Sequence, residues 1–129
     1  MNVYSTKIGE LTVEELAEGL MVGDLLDVSF HDESIEPQAG NVVFINRAKT
    51  LTLTIYGTSM SRTVRFYSVD SQLNVIPIIG VNLSDYTLGT STNGTTQLWQ
   101  FDVTGLIAVY MELVAVDGGN VSVKGRLVT

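Results

Sequence analysis

An all-β fold, an antiparallel β-sandwich or jelly roll preceded by a short helix-containing arm, is what this sequence predicts. Three observations carry that reading. Apolar and polar residues alternate with period two over several short runs, Gly/Asn/Ser/Thr clusters separate those runs, and no long helical pattern lies between them. The charge also divides near Gly40: residues 1–40 hold nine acids against one lysine, whereas residues 41–129 hold five acids against six bases. The chain is therefore expected to consist of an acidic arm and connector (1–40) and a sandwich domain (41–129).

In the arm, Thr12-Val13-Glu14-Glu15 has the form of a capping box, in which the Thr hydroxyl accepts from the Glu15 N–H and the Glu15 carboxylate reaches back to the Thr12 amide. Val13, Leu16, Ala17 and Leu20 then recur at helical spacing with Glu14, Glu15 and Glu18 opposite, and Gly19 and Gly23 limit the length. So short a helix is marginal in water, because nucleation is costly and few hydrogen bonds repay it. Its stripe of Val13, Leu16 and Leu20 must dock, either on the chain's own sandwich or on a neighbour, and it is the expected assembly interface. Leu25 to Phe30 reads as a first strand, and His31 to Gly40 as an acidic, exposed connector.

The sandwich elements follow in order. Asn41–Asn46 is a short apolar run. Thr50–Tyr56 alternates Leu51, Leu53 and Ile55 with threonines, the mark of a sheet with one wet face, and Gly57–Ser61 breaks it as a turn. In Arg62–Val69, Val64 and Phe66 face inward against Arg65 and Tyr67. Leu73–Ile79 contains Pro77, which removes a ladder donor and so indicates an edge or a bulge. Gly89–Thr96 is a polar loop with an Asn-Gly turn. Leu98–Val103 puts Trp99, Phe101 and Val103 on one face, which places Trp99 in the core. Ile107–Val116 and Asn120–Val128, joined by Asp117-Gly118-Gly119, read as a hairpin.

At 129 residues, 45% hydrophobic and 16% charged, the chain is one domain's worth of foldable material and is not intrinsically disordered. A net charge of −7 repels phosphate backbones and anionic headgroups, so nucleic acid and membrane are not expected partners. The absence of cysteine excludes disulfides, a thiol nucleophile and Cys-type metal sites. No long uncharged apolar run and no basic-then-apolar leader pattern are present, so neither a membrane span nor an export signal is expected.

No catalytic, metal or cofactor site emerges. His31, the single histidine, sits in His31-Asp32-Glu33, but catalytic zinc calls for two or three histidines at fixed spacing, and an exposed solvated position is expected. No G-x-S-x-G elbow surrounds a serine. Asp70, Asp85 and Asp117 lie at turns, where carboxylates bond local amides, and Asp102 and Glu112 point outward from strands. Among the tyrosines, Tyr56, Tyr67, Tyr86 and Tyr110 are expected to be exposed. Tyr67 and Tyr86 are candidate glycan contacts, although their scatter over the segments predicts no shared patch.

From Leu51-Thr52-Leu53-Thr54-Ile55-Tyr56-Gly57-Thr58, through Trp99-Gln100-Phe101-Asp102-Val103-Thr104-Gly105-Leu106, to Gly118–Arg126, the chain resembles small β-sandwich domains of bacteriophage and prophage structural proteins. The resemblance implies a virion accessory role of the capsid-decoration, head-fibre or tail-tip type, without catalytic residues. The expected protein is a non-enzymatic accessory on the capsid surface, made in the host cytoplasm and carried on the extracellular particle. It would be a homo-oligomer such as a trimer, in contact with other virion proteins including the major capsid protein. A carbohydrate-binding or tail-tip adhesion module is the alternative, and an enzyme centred on His31 a third.

Overall fold

The computed structural model describes residues 25–129 and two short strands before them, β1 (Lys7–Ile8) and β2 (Leu11–Thr12). These two strands pair with each other, Lys7 opposite Thr12. Thr12, expected to cap a helix, thus sits in a strand. The helical stripe of Val13, Leu16 and Leu20 lies outside the described residues. Among the described residues there is no helix, and the main body is all-β.

Eleven further strands follow in chain order: β3 (Leu25–Ser34), β4 (Val43–Phe44), β5 (Thr50–Tyr56), β6 (Ser61–Val69), β7 (Val75–Pro77), β8 (Gly80–Asn82), β9 (Leu88–Gly89), β10 (Ser91–Thr92), β11 (Gln97–Asp102), β12 (Ala108–Asp117) and β13 (Val121–Val128). They form two antiparallel sheets. The front sheet runs β10-β6-β12-β4, with β7 sharing the outer edge of β6 beside β10; the back sheet runs β3-β13-β5-β11-β8-β9. Pro77 falls in edge strand β7, where its missing donor costs no ladder bond.

The period-two faces interlock between the sheets. Leu51, Leu53 and Ile55 of β5, Trp99 and Phe101 of β11, and Val64 and Phe66 of β6 are all buried. The Phe66 ring lies 5.0 Å from Trp99 and 4.9 Å from Phe101, centroid to centroid, the latter edge-on. Trp99 is a core residue, as its period implies, and its indole N–H is satisfied by Gln97 Oε1 at 3.0 Å.

Two expectations are corrected. The strand that starts at Leu25 continues through His31 to Ser34 and forms an edge of the back sheet against β13, so residues 31–34 are not connector and the sheet begins at Leu25. The Asp117–Gly119 turn is not a hairpin, because β12 lies in the front sheet and β13 in the back. It is an arch between sheets. Gly119 has φ +137°, and a Cβ there would lie 2.6 Å from the Thr58 carbonyl carbon of the neighbouring β5–β6 arch. The two arches clasp through Ser59 N–H to Asn120 O (3.0 Å) and Met60 N–H to Asp117 O (2.8 Å). Most consecutive strands of the body switch sheets in this way; β6–β7 and β8–β9 stay within one.

Candidate functional site

His31 is not solvated: it is 2% exposed and lies between the sheets. Opposite β13, the register of β3 shifts around Phe30, so Phe30 and His31 are buried in succession despite their adjacency. The imidazole meets the far edge of β12, where β4 pairs with Ala108 and Val109 and Gln38 pairs with Leu113, leaving the Met111 carbonyl between them. Nε2–H donates to that carbonyl at 2.5 Å, and Nδ1 accepts from Ser34 Oγ at 3.3 Å, an assignment that makes the ring neutral. Burial pushes its pKa below the usual value, and the Met111 bond opposes the shift in part. Gly40 (φ +75°) backs the ring closely, since a Cβ there would lie 2.5 Å from Cε1. His31 therefore fastens the edge of one sheet to the other. Among the described residues, no group of three His, Asp or Glu side chains is placed to hold a metal ion.

Of the carboxylates expected at turns, Asp70 and Asp85 bond local amides as their positions predict, and Asp117 ends β12; Asp102, expected to point outward from its strand, also bonds a local amide at the end of β11. Asp70 accepts from the Gln72 and Asn74 amides (both 2.9 Å), Asp85 from the Thr87 amide (3.0 Å), and Asp102 from the Thr104 amide (3.0 Å). Hydrogen bonds from Asn74, Thr87 and Thr104 respectively hold these three pKa values below the usual carboxylate value, the opposite of what a general acid needs.

Arg62 is a buried group that its sequence context does not announce. It is 2% exposed, and its guanidinium donates to Ser59 Oγ (2.6 Å), Ser59 O (2.7 Å) and Gly94 O (2.9 Å), tying the β5–β6 arch to the loop before β11. Burial lowers its pKa. On the outer side of the back sheet, a shallow depression of about 690 Å³ has Thr52, Thr54, Lys124 and Arg126 in its floor. Arg126 holds Asp27 through two bonds (2.7 and 3.1 Å), and Lys124 meets Ser29 (2.8 Å) and Asp32 (3.1 Å). These charges are paired within the sheet, so the depression is a neutralised polar floor.

The outer side of the front sheet differs. Here Tyr67 of β6 and Tyr110 of β12 are directly opposite, with rings stacked at 5.3 Å and 25°. Burial, then the nearby Glu112, raises the Tyr110 pKa. Tyr67 thus has a partner on an adjacent strand, where no shared patch was expected. Tyr86 is not part of it: this residue, 78% exposed with φ +60°, belongs to the turn between β8 and β9 of the back sheet. The two candidate glycan contacts do not form one platform.

On one side of the tyrosine pair the outer face carries the charged Glu112–Arg65 row, and on the other side it is apolar. One row crosses four strands, with Phe44, Ala108, Val69 and Val75 in register. In the next row Tyr110, Tyr67 and Pro77 align, and Val42 precedes β4 beside them. Phe44 is 64% and Val75 50% exposed. At the tip of the bordering β6–β7 hairpin, Leu73 is held at φ +65° and is 80% exposed, in a turn built by the Asp70 bonds. An exposed leucine in a left-handed conformation costs roughly 1–2 kcal/mol, so the turn presents that side chain at an energetic cost. The face is the candidate functional site. Sequence periodicity put Tyr67 outward on its own strand, but only alignment of four strands assembles the surface.

A family model described as XepA matches residues 24–127. In Bacillus subtilis (strain 168), the chain is 36% identical over 110 residues to the SPbeta prophage-derived uncharacterized protein YomS, covering 85% of this chain and 92% of YomS. It is 32% identical over 103 residues to the phage-like element PBSX protein XepA, covering 80% of this chain and 37% of XepA. It is also 32% identical over 130 residues to the uncharacterized protein YqxG, of which it spans 43%. The chain thus spans nearly all of YomS but less than half of XepA and YqxG. Among solved structures, that of SPBc2 prophage-derived YomS superposes with a TM-score of 0.82 at 35% identity over 85% of this chain and 97% of YomS. That of PBSX exported protein XepA superposes with a TM-score of 0.82 at 28% identity over 100% of this chain and 49% of XepA.

Proposed function

The chain belongs to the XepA family, and from that premise we propose that it is a non-enzymatic accessory protein of a phage particle that acts by surface contact. Its prophage-derived relatives support the phage association. The observation that carries the contact role is the apolar patch on the front sheet, with Phe44 and Val75 half or more exposed beside the Tyr67–Tyr110 stack and the Glu112–Arg65 row at its border. A net charge of −7 sets like-charge repulsion against self-association, and on this face the charges in the row beside the tyrosine pair are one of each sign, Arg65 opposite Glu112, so copies can approach there with less of that penalty.

In this reading the protein forms a symmetric homo-oligomer that sits on a virion, in contact with other virion proteins such as the major capsid protein. It works outside the host cell; the name of one relative, exported protein XepA, agrees with that setting. Purified particles from an induced lysogen test the reading. Mass spectrometry and immunogold electron microscopy should find the chain on the particle in fixed stoichiometry. Recovery of the chain only in the particle-free supernatant would refute it.

A further inference from the structure

We infer that the depression on the outer side of the back sheet binds a neutral glycan, a polyhydroxyl chain with no charge of its own. It lies on a different sheet from the contact face, so it does not depend on the particle reading. Two rows cross the same four strands there. Asp27, Arg126, Thr52 and Gln100 are in register in one, and Ser29, Lys124, Thr54 and Leu98 in the other. Four strands span about 14 Å, room for a short run of sugar rings. Register shifts in the β3–β13 pairing lie immediately before Lys124, and a bulge of that kind bends its strand, which suits a hollow rather than a flat sheet.

The charges decide the class of ligand. The two cations of the floor, Lys124 and Arg126, are matched by two carboxylates, Asp32 and Asp27, at 3.1 and 2.7 Å. An anionic ligand has to break an ion pair to gain one, and a cationic ligand meets the same obstacle. A sugar hydroxyl donates and accepts at once, so it can bridge a paired cation and anion without separating them. Pairing also holds the side chains in place: Arg126 grips Asp27 with two bonds, and Lys124 is held by both Ser29 and Asp32, which reduces the entropy left to lose on binding. The hydroxyls of Thr52 and Thr54 and the Gln100 amide take no partner among the described residues and are open to a ligand. The threonine methyls and the aliphatic stems of Lys124 and Arg126 supply apolar surface between these groups, matching the C–H faces of sugar rings. Tyr56, two residues beyond Thr54 on the same face and 40% exposed, adds an aromatic ring at the margin. Tyr67 and Tyr110, by contrast, turn their ring faces to one another rather than to a ligand.

A glycan array carrying neutral and acidic saccharides is probed with the full-length chain, and each hit is checked by affinity electrophoresis in gels containing the corresponding polysaccharide. The expected result is binding confined to neutral glycans. Thr52→Arg and Thr54→Arg, each placing an unpaired charge and a long side chain on the floor, should weaken it about tenfold or more, while thermal melts stay near the parent's. Should either variant melt early, Gln100→Ala, at an exposed position, takes its place, with the loss of one hydrogen bond worth about threefold to tenfold. Phe44→Asp on the front sheet should leave binding unchanged. Binding to acidic saccharides alone, binding to none, or neutral-glycan binding that survives the back-sheet variants would overturn the inference, as would an equal loss in Phe44→Asp. A chain found only in the particle-free supernatant should still bind, so failure of the particle reading and failure of the glycan site are told apart.

Discussion

Replacing His31 with leucine should cost about 2–4 kcal/mol of stability at pH 7.5, and the cost should shrink as the pH falls. The first part follows from the Met111 carbonyl, which lies on the β12 edge between the Phe44 and Gln38 pairings and takes its hydrogen bond from His31 Nε2. Leucine leaves that buried acceptor unsatisfied, worth about 1–3 kcal/mol, and removes the Ser34 bond, worth about 0.5–1.5 kcal/mol. The second part follows from the lowered pKa of the buried ring. The unfolded chain holds a proton on His31 up to about its ordinary pKa of 6.5, while the folded chain releases it at a lower pH. Stability from the neutral ring is therefore full above 6.5 and is lost as the pH falls through the folded value, at about 1.4 kcal/mol per unit separating the two. The leucine variant lacks this dependence, so the gap to the parent narrows between pH 7.5 and 5. Urea unfolding followed by the fluorescence of Trp99, the single and buried tryptophan, reads both. A gap that stays constant with pH, or a variant as stable as the parent at pH 7.5, would refute the placement of His31 as a buried neutral clasp.

Gly40→Ala should destabilise the same region by about 1–3 kcal/mol, since the left-handed backbone at φ +75° disfavours a side chain and its Cβ would press on the His31 ring; thermal melts compare it with the parent. Phe66→Ala, which empties the space against Trp99 and Phe101, should cost about 3–5 kcal/mol in urea unfolding and leave Trp99 emission shifted to the red. Phe44→Asp, on the exposed front face, should change the melting temperature of the isolated subunit little, yet lower the mass of the native species in light scattering; an unchanged mass would remove the face as an assembly surface. Arg126→Ala breaks an exposed ion pair with Asp27 and should cost less than about 1 kcal/mol, measured by the same melts.

Features that depend on neighbours within a few residues were legible in the sequence. Alternation along Thr50–Tyr56, Arg62–Val69 and Leu98–Val103 told which side chains enter the core, and Asp70 and Asp85 were legible as turn carboxylates, because side-chain direction in a strand and hydrogen bonding in a turn are local properties. Which strands pair was not legible there, because pairing is settled by long-range packing. Asp117-Gly118-Gly119 has the composition of a hairpin and makes an arch, since a glycine turn specifies a reversal and not the sheet that receives the next strand. A register shift against β13 buries His31 beside Phe30, which no period-two pattern on β3 could reveal. The candidate site was hidden for the same reason: Phe44, Val69, Val75 and Ala108 share one row only because β4, the β6–β7 hairpin and β12, far apart in the chain, fall into register, and register is set by the packing of the whole sandwich.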